Sequence, residues 1–161
     1  MSRPLTWFSV SAAIVVADQI TKWLVLLRFA PLERIEVTGF FNLVLMFNKG
    51  AAFSFLADAP GWQTPVLVAF AAGAAIIVSV LLLRSPERRL FCTGLALILG
   101  GALGNVIDRL RFGAVVDFIQ LHAAGWYWPA FNVAASAITV GAVLLILDGF
   151  RSHENRAGAT S

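Results

Sequence analysis

The chain has 161 residues, 59% of them hydrophobic and only 13% charged, and its mean hydropathy is +0.82. Soluble domains carry about 25% charged residues and disordered chains have few apolar ones, so both classes are excluded and a single membrane-embedded domain is expected. The formal net charge of +3 rests on twelve basic and nine acidic residues that are scattered or flank apolar runs, a pattern set by membrane topology and not by a nucleic-acid partner.

The first apolar segment runs from about Leu5 to Leu27 and contains Asp18 and Lys22. Arg3 followed by apolar residues resembles a secretory signal, but the run continues past Asp18, so an uncleaved first helix is expected. A membrane helix needs about 20 mostly apolar residues, and three more segments qualify: about 65–83, 90–107 and 132–147. The single membrane domain, residues 1–161, therefore reads as an all-α membrane protein with four transmembrane helices.

Two segments lie between spans, about 28–64 and 110–131, and they form the cap. Phe40–Phe47 reads as a strand, Asn48-Lys49-Gly50 as a turn and Ala51–Phe55 as a returning strand. Ala114–Ile119 is a further strand candidate. A small β-cradle is thus expected over one end of the helices, with Trp62, Trp126, Tyr127 and Trp128 at the membrane interface. The tail from Ser152 is polar and expected to be loose. Four spans put both termini and the loop Arg84–Arg89 on one side. Arg3, Arg84, Arg88, Arg89, Arg151 and Arg156 are packed there in short segments, whereas Arg28, Arg34, Lys49, Arg109 and Arg111 are spread along the longer ones. That density places the termini in the cytoplasm and the cradle outside.

Ionisable groups inside spans cost several kcal/mol unless paired or hydrated, so they mark candidate function. Asp18, Thr21 and Lys22 share one helix face, Asn105, Asp108 and Arg109 repeat that spacing, and Asn132 and Ser136 share a face on the fourth helix. At 1.5 Å per residue, Asp18 lies roughly 20 Å and Asp108 roughly 27 Å from the cytoplasmic end, which gathers the polar groups under the cap. Plainer readings stand beside this one. Asp18 and Lys22 can pair with each other or with Arg109 and Asp108. Asp108 and Arg109 can be a helix-end ion network, Asn132 an N-cap, Asn48 and Lys49 a turn, and Gly100, Gly101 and Gly104 a close-packing ridge. Asp117 is harder to assign a passive role, because it interrupts the strand-like run Val115-Val116-Asp117-Phe118-Ile119, where an unpaired carboxylate is costly. Cys92, the only cysteine, reads as a small buried apolar residue. With only His122 and His153, no metal site is expected, and no cofactor or serine or cysteine mechanism is indicated.

The blocks Asp18-Gln19-Ile20-Thr21-Lys22, Phe47–Phe53, Gly100–Arg109, Val115–Ile119 and Phe131-Asn132-Val133-Ala134 resemble, in order and spacing, the signature blocks of the lipoprotein signal peptidases, or signal peptidase II. The resemblance implies an aspartic endopeptidase of the bacterial inner membrane with its site toward the periplasm. Its substrate would be a prolipoprotein, cut just before a diacylglyceryl cysteine, and membrane lipid and globomycin-type peptides would be further partners. It implies Asp117 as one catalytic aspartate and puts the second at position 135, where this chain has Ala135. Asn48, Gly50, Asn105, Arg109 and Asn132 fall at substrate-binding positions, and Asp18, Lys22, Gly104 and Asp108 at supporting ones. Without a carboxyl neighbour, Asp117 should ionise more readily than in a pair. The chain as written is then expected to be inactive, either as an engineered form or as a natural, non-catalytic lipopeptide-binding homologue, and the intact remaining blocks favour the first. A small multi-span transporter using Asp18 is a competing reading, weakened by the lack of an internal repeat.

Overall fold

The computed structural model describes residues 3–50 and 61–157. In chain order the elements are α1 (Arg3–Arg28), β1 (Arg34–Thr38), β2 (Phe41–Asn48), α2 (Gln63–Arg84), α3 (Arg89–Phe112), β3 (Val115–Ala123), β4 (Trp126–Tyr127) and α4 (Val133–Ala157). The expected returning strand at Ala51–Phe55 lies outside the described residues.

All four helices are long and apolar enough to span a membrane. α3 is the central one: 44% of its apolar window is buried, against 22% for α1, 11% for α2 and 17% for α4. Small residues let its neighbours approach. Gly94 of α3 faces Gly141 of α4 so closely that a Cβ on either would meet the other's carbonyl oxygen, at 2.8 and 2.6 Å. On the outer faces Val66, Phe70, Ile76, Val143 and Phe150 are exposed, as lipid contact requires where every backbone group is already paired within its helix. Trp7 Nε1 donates to Pro86 O (3.1 Å) and Arg88 pairs with Asp148. These contacts gather the start of α1, the α2–α3 loop and the far end of α4 at one end of the bundle, and the sheet lies at the other.

Two helix ends and one strand differ from the sequence expectation. α3 does not stop near Ile107 but runs to Phe112, so Leu110–Phe112 are its last turn and not cap. The polar residues Asp108 and Arg109 face inward, so they do not end the helix. Gly113, with φ 70° in the left-handed region, ends it and donates its N–H to Arg109 O (3.0 Å). α4 continues through Ala157, so Ser152–Ala157 are helical where a loose tail was expected, and the rest of that tail lies outside the described residues. An additional strand, β1, short and fully exposed, was not anticipated.

The sheet is antiparallel in the order β1-β2-β3-β4. The β2–β3 ladder pairs Phe41 with Leu121 and Met46 with Asp117, with a register shift between Leu43 and Met46. Val25 of α1 packs with Leu45, Val116 and Phe118, which seats the sheet on the helix end. A separate cluster of Val78, Leu82, Cys92, Leu95 and Leu99 fills the bundle nearer the other end, and Cys92 is fully buried in it.

Candidate active site

Strand β3 begins two residues after Gly113 and carries Asp117 along the sheet. The segment before α4 runs beside it: Phe131 N donates to Ile119 O (2.9 Å) and Phe131 O accepts from Phe118 N (2.9 Å) and Ile119 N (2.8 Å). That pairing delivers Asn132, the residue before α4, against Asp117. The Asn132 side chain is fully buried. Its Oδ1 accepts from Ala135 N (2.7 Å), an N-cap bond, and its Nδ2 donates to Asp117 Oδ1 (2.7 Å), with Val116 O (3.1 Å) and Asn105 Oδ1 (3.2 Å) also within reach. The N-cap reading of Asn132 holds, and the same amide also grips the Asp117 carboxylate. Asn48 is similar. Its Oδ1 closes the turn by accepting from Gly50 N (2.9 Å), and its Nδ2 donates to Asp117 Oδ2 (3.2 Å).

Asp117 therefore has an amide donor on each oxygen and is 5% exposed. Burial, which disfavours the charged form, pushes its pKa up to about 6, against the opposing pull of the Asn48 bond, the Lys22 charge and the Asn132 bond. The carboxyl is harder to ionise than an ordinary aspartate, chiefly through burial, with the nearby Asp108 charge adding to it.

Beneath Asp117 lies a buried ion cluster. Lys22 Nζ contacts Asp18 Oδ2 (2.7 Å), Asp108 Oδ2 (2.7 Å) and Asn105 Oδ1 (3.1 Å), which uses all three ammonium protons. The side chains of Lys22, Asp18 and Asp108 are 2%, 0% and 1% exposed. The remaining carboxylate capacity is met by N–H groups: Asp18 Oδ1 accepts from Ala134 N (2.8 Å), Asp108 Oδ2 from Val116 N (3.0 Å) and Asp108 Oδ1 from Gln19 Nε2 (2.9 Å). Gln19, quoted in its motif but given no role from sequence, is a further donor here. Glycine at 104 is required sterically, since a Cβ there would sit 2.6 Å from Asp18 Oδ2.

Arg109 does not join this cluster through Asp108. Its Nη2 donates to Gly50 O (2.8 Å), tying α3 to the end of the β2 turn, and its Nε is buried without a partner among the described residues. Ser136 Oγ donates to Asn132 O (2.9 Å) inside its own helix and takes no part in the site, and Thr21 Oγ1 likewise bonds to carbonyls of α1. Ala135 lies in the first turn of α4, and one Asn132 side chain separates its backbone from the Asp117 carboxylate.

Three long apolar helices packed around α3, with a small sheet and a buried carboxylate site at one end, have the make-up of a multi-pass membrane protein. The sequence profile described as signal peptidase (SPase) II matches residues 10–151. Lipoprotein signal peptidases of Janthinobacterium sp. (strain Marseille) and Paraburkholderia phytofirmans are 53% and 55% identical, over 93% and 90% of this chain and 91% and 84% of those proteins. Two solved bacterial membrane enzymes superpose with TM-scores of 0.83 and 0.76 at 27% and 28% identity, over 93% and 88% of this chain and 90% of each of theirs. The chain belongs to the signal peptidase II family of aspartic peptidases. That membership removes the basis for a transporter reading.

Proposed function

We propose that this chain has the architecture of a prolipoprotein signal peptidase of the bacterial inner membrane, with its sheet toward the periplasm, and that Ala135 leaves it able to bind substrate but not to cleave it. The observation that supports this reading best is the Asn132 side chain, which joins the Asp117 carboxylate to the backbone of residue 135. With aspartate at 135, two carboxyls would share this apolar setting, and like charges that close hold one proton between them. The ionised member takes a proton from water as the water oxygen attacks the peptide carbonyl carbon. The protonated member gives its proton to the carbonyl oxygen. As the tetrahedral adduct collapses and its C–N bond breaks, the carboxyl that took the water proton gives it to the amine nitrogen, and the other recovers its proton from the adduct hydroxyl.

Ala135 can neither give nor take a proton. Asp117, with a pKa of about 6, is mostly ionised at pH 7 and supplies only the base. Arg109 Nε, which has no partner among the described residues, and the Asn48 and Asn105 amides, around Gly50, suit an extended peptide backbone whose polar groups must be satisfied away from water, while the buried Asn132 amide acts through Asp117. Diacylglyceryl chains would lie between helices in contact with lipid, and globomycin-type peptides would occupy the same site. A non-catalytic lipopeptide-binding role is the second reading, and Ala135 is the observation that favours it.

The test is cleavage of a diacylated prolipoprotein by the chain as written and by its Ala135→Asp form. The chain should bind without detectable turnover. Ala135→Asp should recover about 10⁴-fold or more in rate, the scale on which cooperating protease groups act, and Asp117→Asn added to it should abolish the gain. Turnover by the chain as written, or a folded and binding-competent Ala135→Asp form that stays inactive, refutes the two-carboxylate assignment.

A further inference from the structure

Each of the two buried carboxylates beneath the site grips one particular backbone N–H. Asp108 Oδ2 accepts from Val116 N at 3.0 Å, and Val116 immediately precedes Asp117. Asp18 Oδ1 accepts from Ala134 N at 2.8 Å, and Ala134 immediately precedes position 135. The same ammonium, Lys22 Nζ, lies 2.7 Å from each carboxylate. A continuous path thus runs Val116–Asp108–Lys22–Asp18–Ala134, from β3 through α3 and α1 to the first turn of α4. We propose that Lys22 is a positioning residue that sets the spacing between residues 117 and 135 by clamping the backbone next to each. The proposal rests on the reading of those two positions as the catalytic pair.

Three features separate a clamp from an ordinary buried ion pair. An i, i+4 lysine–aspartate pair on one helix needs no third group, yet here Lys22 also draws Asp108 from another helix. Two carboxylates on one ammonium leave a net negative charge in an apolar interior, an arrangement that apolar residues of similar volume would match or better for stability alone. The N–H of Ala134 is one of the unpaired donors at the start of α4, which a local cap usually serves, and here a carboxylate from α1 holds it. Asn105 reinforces the link. Its Oδ1 accepts from Lys22 at 3.1 Å and from Asn132 Nδ2 at 3.2 Å, the same amide that lies 2.7 Å from Asp117. Lys22 therefore reaches Asp117 through both its backbone neighbour and its side-chain partner.

Proton sharing needs the two carboxyls at a fixed separation, and displacement of a reacting group by about 1 Å costs on the order of 100-fold in rate. A clamp between the two backbones is the direct means of fixing it.

The first test needs no activity and uses the chain as written, in detergent micelles, reading amide hydrogen exchange by NMR at Val116 and Ala134. Asp108→Ala should speed exchange at Val116 only, Asp18→Ala at Ala134 only, and Lys22→Met at both, by tenfold or more. Lys22→Arg keeps the charge and changes the reach, and it carries the test if the Met form does not fold. Parental rates at both amides in a folded Lys22 variant, or an even loss of protection across the whole bundle, overturn the clamp. The second test uses the Ala135→Asp chain. Lys22→Arg should lower kcat about 100-fold with KM held within about twofold, and an unchanged kcat also overturns it. If Ala135→Asp itself fails to cleave, the catalytic-pair reading falls, and the amide-exchange pattern still decides whether Lys22 spaces the two backbones.

Discussion

Replacing Asn132 offers the sharpest probe of the site, because its one amide makes two different kinds of contact. Asn132→Ala removes the cap on Ala135 N, worth about 1 kcal/mol. It also removes the shortest donor to Asp117 Oδ1, and a hydrogen bond to a charged group contributes about 1.5–3 kcal/mol. The sum, about 2.5–4 kcal/mol, should lower the unfolding midpoint by on the order of 10 °C. Asn132→Asp keeps the cap acceptor but puts a second acidic oxygen where Nδ2 stood, 2.7 Å from Asp117 Oδ1. One of the two acids must then hold a proton, so its folded pKa rises above the unfolded value. That contribution is fully present at low pH and is lost as pH rises. Thermal unfolding in detergent, followed by tryptophan fluorescence at pH 5 and pH 8, separates the contacts. Asn132→Asp should lie close to the parent at pH 5 and fall toward or below Asn132→Ala at pH 8. If the two variants behave alike at both pH values, the Asp117 contact carries no weight and the site as described is wrong.

Other outcomes are equally definite. The Asp117 pKa of about 6 exceeds the ordinary 3.8 by about two units, so its stabilising contribution, about 3 kcal/mol, is complete below about pH 4 and lost as pH rises through about 6. Unfolding midpoints should therefore decline from pH 4 to pH 7, and Asp117→Asn should remove that slope. Gly104→Ala should destabilise by about 1–3 kcal/mol because the new methyl collides with Asp18, whereas Gly73→Ala on α2, with nothing within 4 Å, should be neutral or slightly stabilising, as denaturation midpoints would show. With the sheet toward the periplasm, a cysteine replacing Glu36 should react with an impermeant thiol reagent in intact cells and one replacing Ser85 should not; the reverse pattern inverts the orientation.

The helices were legible because apolar runs of spanning length have few other uses, and the polar cluster was legible because helical spacing already put Asp18 with Lys22 and Asn105 with Asp108. Which partners those groups choose was not. Sequence spacing cannot say that Lys22 reaches two carboxylates from different helices, or that Arg109 turns away from Asp108 toward Gly50 O. Those outcomes depend on how α1, α3 and α4 are packed in rotation and depth. Gln19 had no visible signal beyond its place in the motif, since an amide one residue from an aspartate usually faces another side of the helix. β1 had little signal because Arg34–Thr38 alternates charge with β-branched residues and is fully exposed, so its order comes from pairing with β2 and from the Arg34 guanidinium over the Tyr127 ring, neither of which hydropathy reports. Hydropathy falls after Ile107 while the helix runs on to Phe112, because Gly113 and not the loss of apolar residues is its stop signal.

The two proposed catalytic positions differ in what the fold asks of their side chains. Asp117 accepts an amide on each oxygen, so its carboxyl is woven into the contacts that hold β2 and the start of α4 in place. Position 135 is engaged through its backbone alone: its N–H donates to Asn132 Oδ1 and its carbonyl accepts from Thr139 Oγ1 at 2.9 Å. Its neighbour Ala134 is held by Asp18, again through the backbone. A carboxyl at 135 would thus be supplied to the site without being needed to build it. Removing it takes away one proton carrier and leaves the Lys22 cluster, the Asn132 bridge and the Asn48 turn each complete. That asymmetry accounts for how alanine can stand at 135 in a chain whose other site residues remain assembled, and on the proposed reading such a site would still hold a peptide.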